Sequence, residues 1–205
     1  MPTVSLRKPS AAMLGAFLTT QAGVAFSYAA VGATAATPPA GYVVDRTRIN
    51  LGAGEAAFLA ARAALERWHQ FQLGWVYAWP IDAPLEPGTI VAVSGRAAGL
   101  WWLGACRIVY TVDEGDPVRR FGFAYGTLPS HVEQGEERFL VEWDSHTDRV
   151  SYDVLAFSRP NHLVIRLGAP FVRRSQRRFG RESAQAMFRA VDPTSPLPAV
   201  EQQMG

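Results

Sequence analysis

Apolar residues recur at every second position through most of residues 88–159, in the runs TIVAVSGR, LWWLGACRIVYTVDE, RRFGFAYGTL, ERFLVEWD and RVSYDVLAFS. A period of two is the signature of half-buried strands. Gly, Pro and Asp turns separate the runs, and such short connections cannot cross over between parallel neighbours, so the pattern predicts about five antiparallel strands in a meander. Within residues 120–143, Phe121, Phe123 and Tyr125 mark one oily face, as do Phe139, Val141 and Trp143. Between these runs Gly126, Pro129 and Gly135 punctuate a bend that carries His131, Glu133, Glu136 and Glu137.

The pattern changes on either side of the meander. Residues 41–54 read as a strand and residues 55–71 as a helix, because Phe58, Leu59, Leu65, Trp68 and Phe71 fall at helical spacing, with Gly74 as its close. Residues 75–79 read as a further strand, stopped by Pro80, Pro84 and Pro87. After Pro160 a helical pattern covers residues 161–168, Pro170 interrupts, and residues 171–191 continue with Val172, Phe179, Ala186 and Met187 as a buried stripe; the segment predicts one long, kinked helix. Near the start, Pro9 and Ser10 open a short helix whose stripe is Leu14, Phe17, Leu18 and Gln21.

Each strand keeps a large apolar face, and the C-terminal helix is the segment able to cover it. The predicted class is α+β: a curved antiparallel sheet wrapped on a long C-terminal helix. Residues 41–191 form its single domain, residues 1–40 an N-terminal docking helix and linker, and residues 192–205 a flexible C-terminal tail. The composition agrees, since 48% hydrophobic and 19% charged residues describe a large core or a lined cavity. A secretory leader is the alternative for the N-terminus, but Thr19, Thr20, Gln21, Ser27 and Tyr28 interrupt its apolar run. The single cysteine, Cys106, leaves no intramolecular disulfide and no thiolate zinc site, and reads as an inert core thiol in a cytoplasmic protein.

Chemistry-bearing motifs are sparse. No GxSxG elbow, GxxxxGK[ST] loop, HExxH helix or GxGxxG turn occurs, so no cofactor or metal is expected. The candidate catalytic group is His131 with Glu133 and Glu136, as an acid and base pair; a solvated polar rim is the competing account. Trp101, Arg107, Tyr110, Phe123, Tyr125, Glu142, Trp143 and Tyr152 are candidate ligand-binding residues, with Arg107 paired to Glu142 or Asp153 if those charges are buried. From residue 159 to 189 eight arginines stand against one acid, Glu182. Of these, Arg173, Arg174, Arg177, Arg178 and Arg181 form a helix face that is either a solvated exterior or a site for an anionic membrane surface. No zinc-finger, RNP or helix-turn-helix spacing accompanies it, so nucleic acid is not the expected partner.

The phrases GYVVDRTRINLGAG, CRIVYTVDE, RFGFAYGTLPSHVEQGEERF, DVLAFSRPNH and LGAPFVRRSQRRF, with the Trp68 to Trp75 segment, resemble the family catalogued as domain of unknown function 1990. The likeness runs over nearly the whole chain and implies a fold more than an activity. Its element order is similar to the helix-grip, START/Bet v 1-like fold of the lipid-transfer and polyketide-cyclase superfamily, in which the sheet and last helix enclose a cavity. The expected function is therefore binding of a small apolar or amphipathic ligand. An enzyme using His131 with Glu133 or Glu136 on such a ligand, or a membrane-surface adaptor using the arginine face, are the alternatives.

Overall fold

A nine-stranded sheet, antiparallel at every pairing, organises the described residues, which in this computed structural model are 3–161 and 169–205. In chain order the elements are β1 (Thr3–Ser5), α1 (Ala11–Gln21), β2 (Val43–Ala53), α2 (Gly54–Glu66), β3 (Val76–Trp79), β4 (Ile90–Ala97), β5 (Leu100–Glu114), β6 (Val118–Thr127), β7 (Glu133–Asp144), β8 (Arg149–Pro160), α3 (Ala169–Val191) and β9 (Glu201–Met204). Single 3-10 turns lie at Ala33–Ala35 and His69–Phe71. The strands run β3-β4-β5-β6-β7-β8-β2-β9, with β1 beside β5. Strands β4 to β8 are the meander that the alternation predicts, and β2 returns to the free edge of β8.

Helices α2 and α3 pack on one face of this sheet, which completes the α+β helix-grip arrangement. Phe58, Ala61, Ala64 and Leu65 of α2 and Ala184, Met187 and Phe188 of α3 are buried in a continuous core with Phe123, Phe139, Val141 and Tyr152. α2 stops five residues short of the expected end because Trp68 takes a left-handed φ of 55°. Its indole, 1% exposed, donates to the Ala83 carbonyl at 2.9 Å and packs 4.9 Å from Phe123, and this burial holds the unfavourable backbone. α3 is described from Ala169, and from there to Val191 it runs unbroken through Pro170. Residues 162–168 of the expected helix, including His162, lie outside the described residues.

The opposite, outer face of the sheet carries the N-terminal segment. Ser10 caps α1 by accepting from the Met13 amide, and Leu14 is buried with Ala92 and Leu103, flanked by Phe17 and Leu18. Residues 192–205 read from sequence as a flexible tail, whereas the structure pairs β9 with β2, placing Met204 opposite Asp45 and Glu201 opposite Arg48. No helix among the described residues is long and apolar enough to cross a membrane.

Candidate functional site

Strand parity decides which side chains share a space. Tyr125, Glu137, Ala156 and Asp45 stand opposite one another across β6, β7, β8 and β2, so all four point to the inner face. Beside this row, under the N-terminal half of α3, lies a cavity of about 470 Å³, within the range of small-molecule sites. Its apolar wall includes Phe71, Trp75, Trp102, Tyr125, Val154 and Phe179, and its polar wall Asp45, His131, Glu133, Glu137, Ser158 and Gln176. Gly104 lets His131 approach β5 closely: a Cβ there would stand 2.6 Å from the imidazole Cδ2.

The polar wall is built across three elements. Arg173 of α3 forms a two-pronged ion pair with Asp45 of β2 and donates to Gln176 Oε1 at 2.8 Å. Gln176 Nε2 in turn donates to Glu133 Oε1 and, at 2.9 Å, to Ser158 Oγ, which itself donates to Glu133 Oε1 at 3.2 Å. Tyr125 Oη donates to Glu137 Oε2 at 2.8 Å. Burial pushes the Glu133 carboxyl up to about 7, which the Ser158 hydrogen bond and the Arg173 charge offset only in part, and Glu137 up to about 8, which the Tyr125 hydrogen bond offsets only in part. Burial acts oppositely on His131 and holds the imidazole neutral, with its pKa lowered to about 4.

These shifts set a pH dependence of stability. A carboxyl raised from 4.5 keeps its proton longer in the folded state, so its contribution is complete below 4.5 and is lost as pH climbs to about 7 for Glu133 and about 8 for Glu137. His131, lowered from 6.5, removes stability only as pH falls towards about 4. Above 6.5 the carboxyls alone remain, so urea unfolding is expected to show stability falling on the order of 1–2 kcal/mol between pH 6.5 and 8. Glu137→Gln should flatten that decline. A wild-type profile level across this window would refute the assignment.

Of the three candidate catalytic residues, all line the cavity, but their functional groups do not converge. The Glu133 amide donates to His131 Nδ1 at 3.1 Å, so the imidazole meets the backbone of Glu133 and not its carboxylate. Glu136 turns its carboxylate to the outer face, where Tyr28, Gly32 and Thr34 all donate to it. The candidate ligand-binding residues also divide. Tyr125 lines the cavity. Phe123, Trp143 and Tyr152 face inward but are covered elsewhere, by Trp68, by Phe58 and by the Ser183 hydroxyl at 2.9 Å respectively.

Trp101, Arg107, Tyr110 and Glu142 belong to the outer face. Trp101 packs on Tyr77 while its neighbour Trp102 meets the cavity. Arg107 donates to the Val24 carbonyl at 2.7 Å rather than to an acid. Glu142 pairs with Arg48 and Arg120, and Asp153, fully buried, with Arg46, Arg48 and Arg138. Tyr110 is displaced by a register shift between Ile108 and Tyr110, after which it stands opposite Ala124 and bonds Thr34 at 2.8 Å. In the arginine face, Arg173 is committed to Asp45, and Arg178 pairs with Glu182 and lies 4.4 Å from the Trp75 ring centre. Arg174, Arg177 and Arg181 are exposed. Asp45, Trp75, Trp102, Ser158 and Gln176 are wall residues that no motif singles out, Phe179 of the expected buried stripe lines the cavity, and the alternation of β7 is the signal that sets Glu137 of the polar bend beside Glu133.

A family model described as Domain of unknown function (DUF1990) matches residues 27–186. A UPF0548 protein of Deinococcus radiodurans is 37% identical over 198 residues, spanning 91% of this chain and 98% of that protein. A UPF0548 protein of Dictyostelium discoideum is 39% identical over 156 residues, 72% of each chain, and one of Arabidopsis thaliana 31% identical over 156 residues, 74% of this chain and 75% of that protein. Among solved structures, human STARD10 aligns with 95% of this chain and 92% of its own at 14% identity and a TM-score of 0.49. Ara h 8.0201 aligns with 73% of this chain and 97% of its own at 10% identity and a TM-score of 0.44.

Proposed function

The chain belongs to the DUF1990 family, a kinship that carries a fold and no reaction, and we propose that it binds a small apolar or amphipathic molecule in the cavity beneath α3. The observation that carries this reading is the cavity itself: about 470 Å³ left open in a chain whose neighbouring core is closely packed. An apolar cavity of this size offers dispersion contacts to a molecule that fills it. The convergent polar groups at one wall suit the orienting end of an amphipathic molecule. Acid and base chemistry has less support, because the His131 ring meets backbone and Glu136 points to the other face.

Pyrene, a neutral apolar fluorophore, tests this directly through quenching of Trp75 and Trp102, both in the cavity wall. We expect saturable binding with a Kd of roughly micromolar order. Ala156→Phe places a ring in the cavity from the centre of the Tyr125, Glu137, Ala156 and Asp45 row and is expected to weaken binding at least tenfold, at a stability loss of about 1–3 kcal/mol. Circular dichroism establishes that the variant is folded. Wild-type protein that neither binds pyrene nor carries a ligand in native mass spectrometry would sink the proposal.

A further inference from the structure

We propose that the ligand taken by this cavity is a protonated amine on an apolar body. This rests on the cavity being a binding site, and adds what its charge selects. Lysine and arginine are absent from its described lining, whereas the acids Asp45, Glu133 and Glu137 are present on its inner wall; Glu136 turns its carboxylate to the other face. One of the three is already satisfied, Asp45 by Arg173. The other two are not. Ser158 and Gln176 both donate to Glu133 Oε1, and Tyr125 donates to Glu137 Oε2, so among the described residues Glu133 Oε2 and Glu137 Oε1 have no partner.

His131 adds an independent observation. The residue is 8% exposed and lines the cavity; with Nδ1 accepting from the Glu133 amide, the neutral ring carries its proton on Nε2, a donor without a partner among the described residues that calls for an acceptor, such as a hydroxyl, beside the ammonium of the ligand. Its ring, edge-on to Trp102, stays neutral on burial and brings no positive charge to the wall. Arg173 offsets the Glu133 charge only in part, being paired with Asp45, and a buried carboxyl without a counter-ion in contact must either give up its charge or find one. An ammonium head supplies both the charge and the N–H donors that these open oxygens lack. Trp102 and Phe179, which also line the cavity, offer aromatic contact for the apolar body and further attraction to a cation. An anionic amphiphile meets like charge on the same wall.

Decylamine, decanol and decanoate share one chain and differ in head charge, so isothermal titration with the three at slightly alkaline pH isolates this term. Decylamine is expected to bind at least about tenfold more tightly than decanol, with decanoate weakest. Glu133→Gln and Glu137→Gln should each weaken decylamine about tenfold while leaving decanol unchanged. Equal or better binding of decanol or decanoate, or an amine preference untouched in both variants, would overturn the inference while the cavity still bound apolar molecules. Should none of the three bind and pyrene fail as well, the binding reading falls and this one with it. If a variant does not fold, the ranking of the three compounds on the wild-type protein decides.

Discussion

Replacing Glu136 with alanine is expected to destabilise the protein by about 3–5 kcal/mol, read as a lower urea midpoint at unchanged m-value. The residue is 2% exposed. Tyr28 Oη and the Gly32 amide donate to Oε2 at 2.7 Å each, and the Thr34 amide at 2.9 Å and its hydroxyl donate to Oε1. Truncation deletes every acceptor and leaves donors stranded in a site where Tyr28 is 6% and Thr34 1% exposed. Glu136→Gln keeps the volume but turns one acceptor into a donor, so an intermediate loss is expected. Because this carboxylate fastens the chain before β2 to the outer face of the sheet, amide exchange should accelerate at Gly32 and Thr34 well before the core strands respond. A loss under about 1 kcal/mol would show that the segment is held by its apolar contacts instead.

Glu136 and its neighbour also measure how much of this site could be read in advance. Period-two counting back from Phe139 and Val141 lands on Glu137, Gly135 and Glu133, so the sequence contains the fact that Glu137, not Glu136, shares a face with Glu133. The meander was legible for the same reason, since alternation and short turns leave few other topologies. Tyr110 was not legible, because the bulge after Ile108 inverts its face and no residue type there announces it. The Asp45–Arg173 pair joins residues 128 positions apart and emerges only when α3 is laid across β2. β1 and β9 have three and four residues, too few for a period to show, and they exist because a paired edge was already in place.

Gly135→Ala is expected to cost at least about 3 kcal/mol, although it adds a single methyl group. Gly135 has φ +155°, a region that residues with a Cβ rarely occupy, and a Cβ built there would stand 1.9 Å from the Phe157 carbonyl oxygen and 2.9 Å from Ser158 Cα. Both obstacles are backbone of the paired strand β8, so no side-chain rotation relieves them. The local geometry is fixed from the other side as well: the Gly135 amide donates to Thr127 Oγ1 at 2.9 Å, and that hydroxyl returns a bond to the Gly135 carbonyl at 3.2 Å. To admit the methyl group, β7 must separate from β8 between Glu133 and Glu137, the two carboxyls of the cavity wall. Pyrene binding should therefore weaken in any Gly135→Ala protein that remains folded at low temperature. Gly115→Ala, at a hairpin position with nothing within 4 Å of the added atom, is the matched control and should stay within about 0.5 kcal/mol of wild type. Equal stability of the two variants would mean that β7 and β8 yield freely at this point, and that the spacing of Glu133 and Glu137 is not set by the glycine between them.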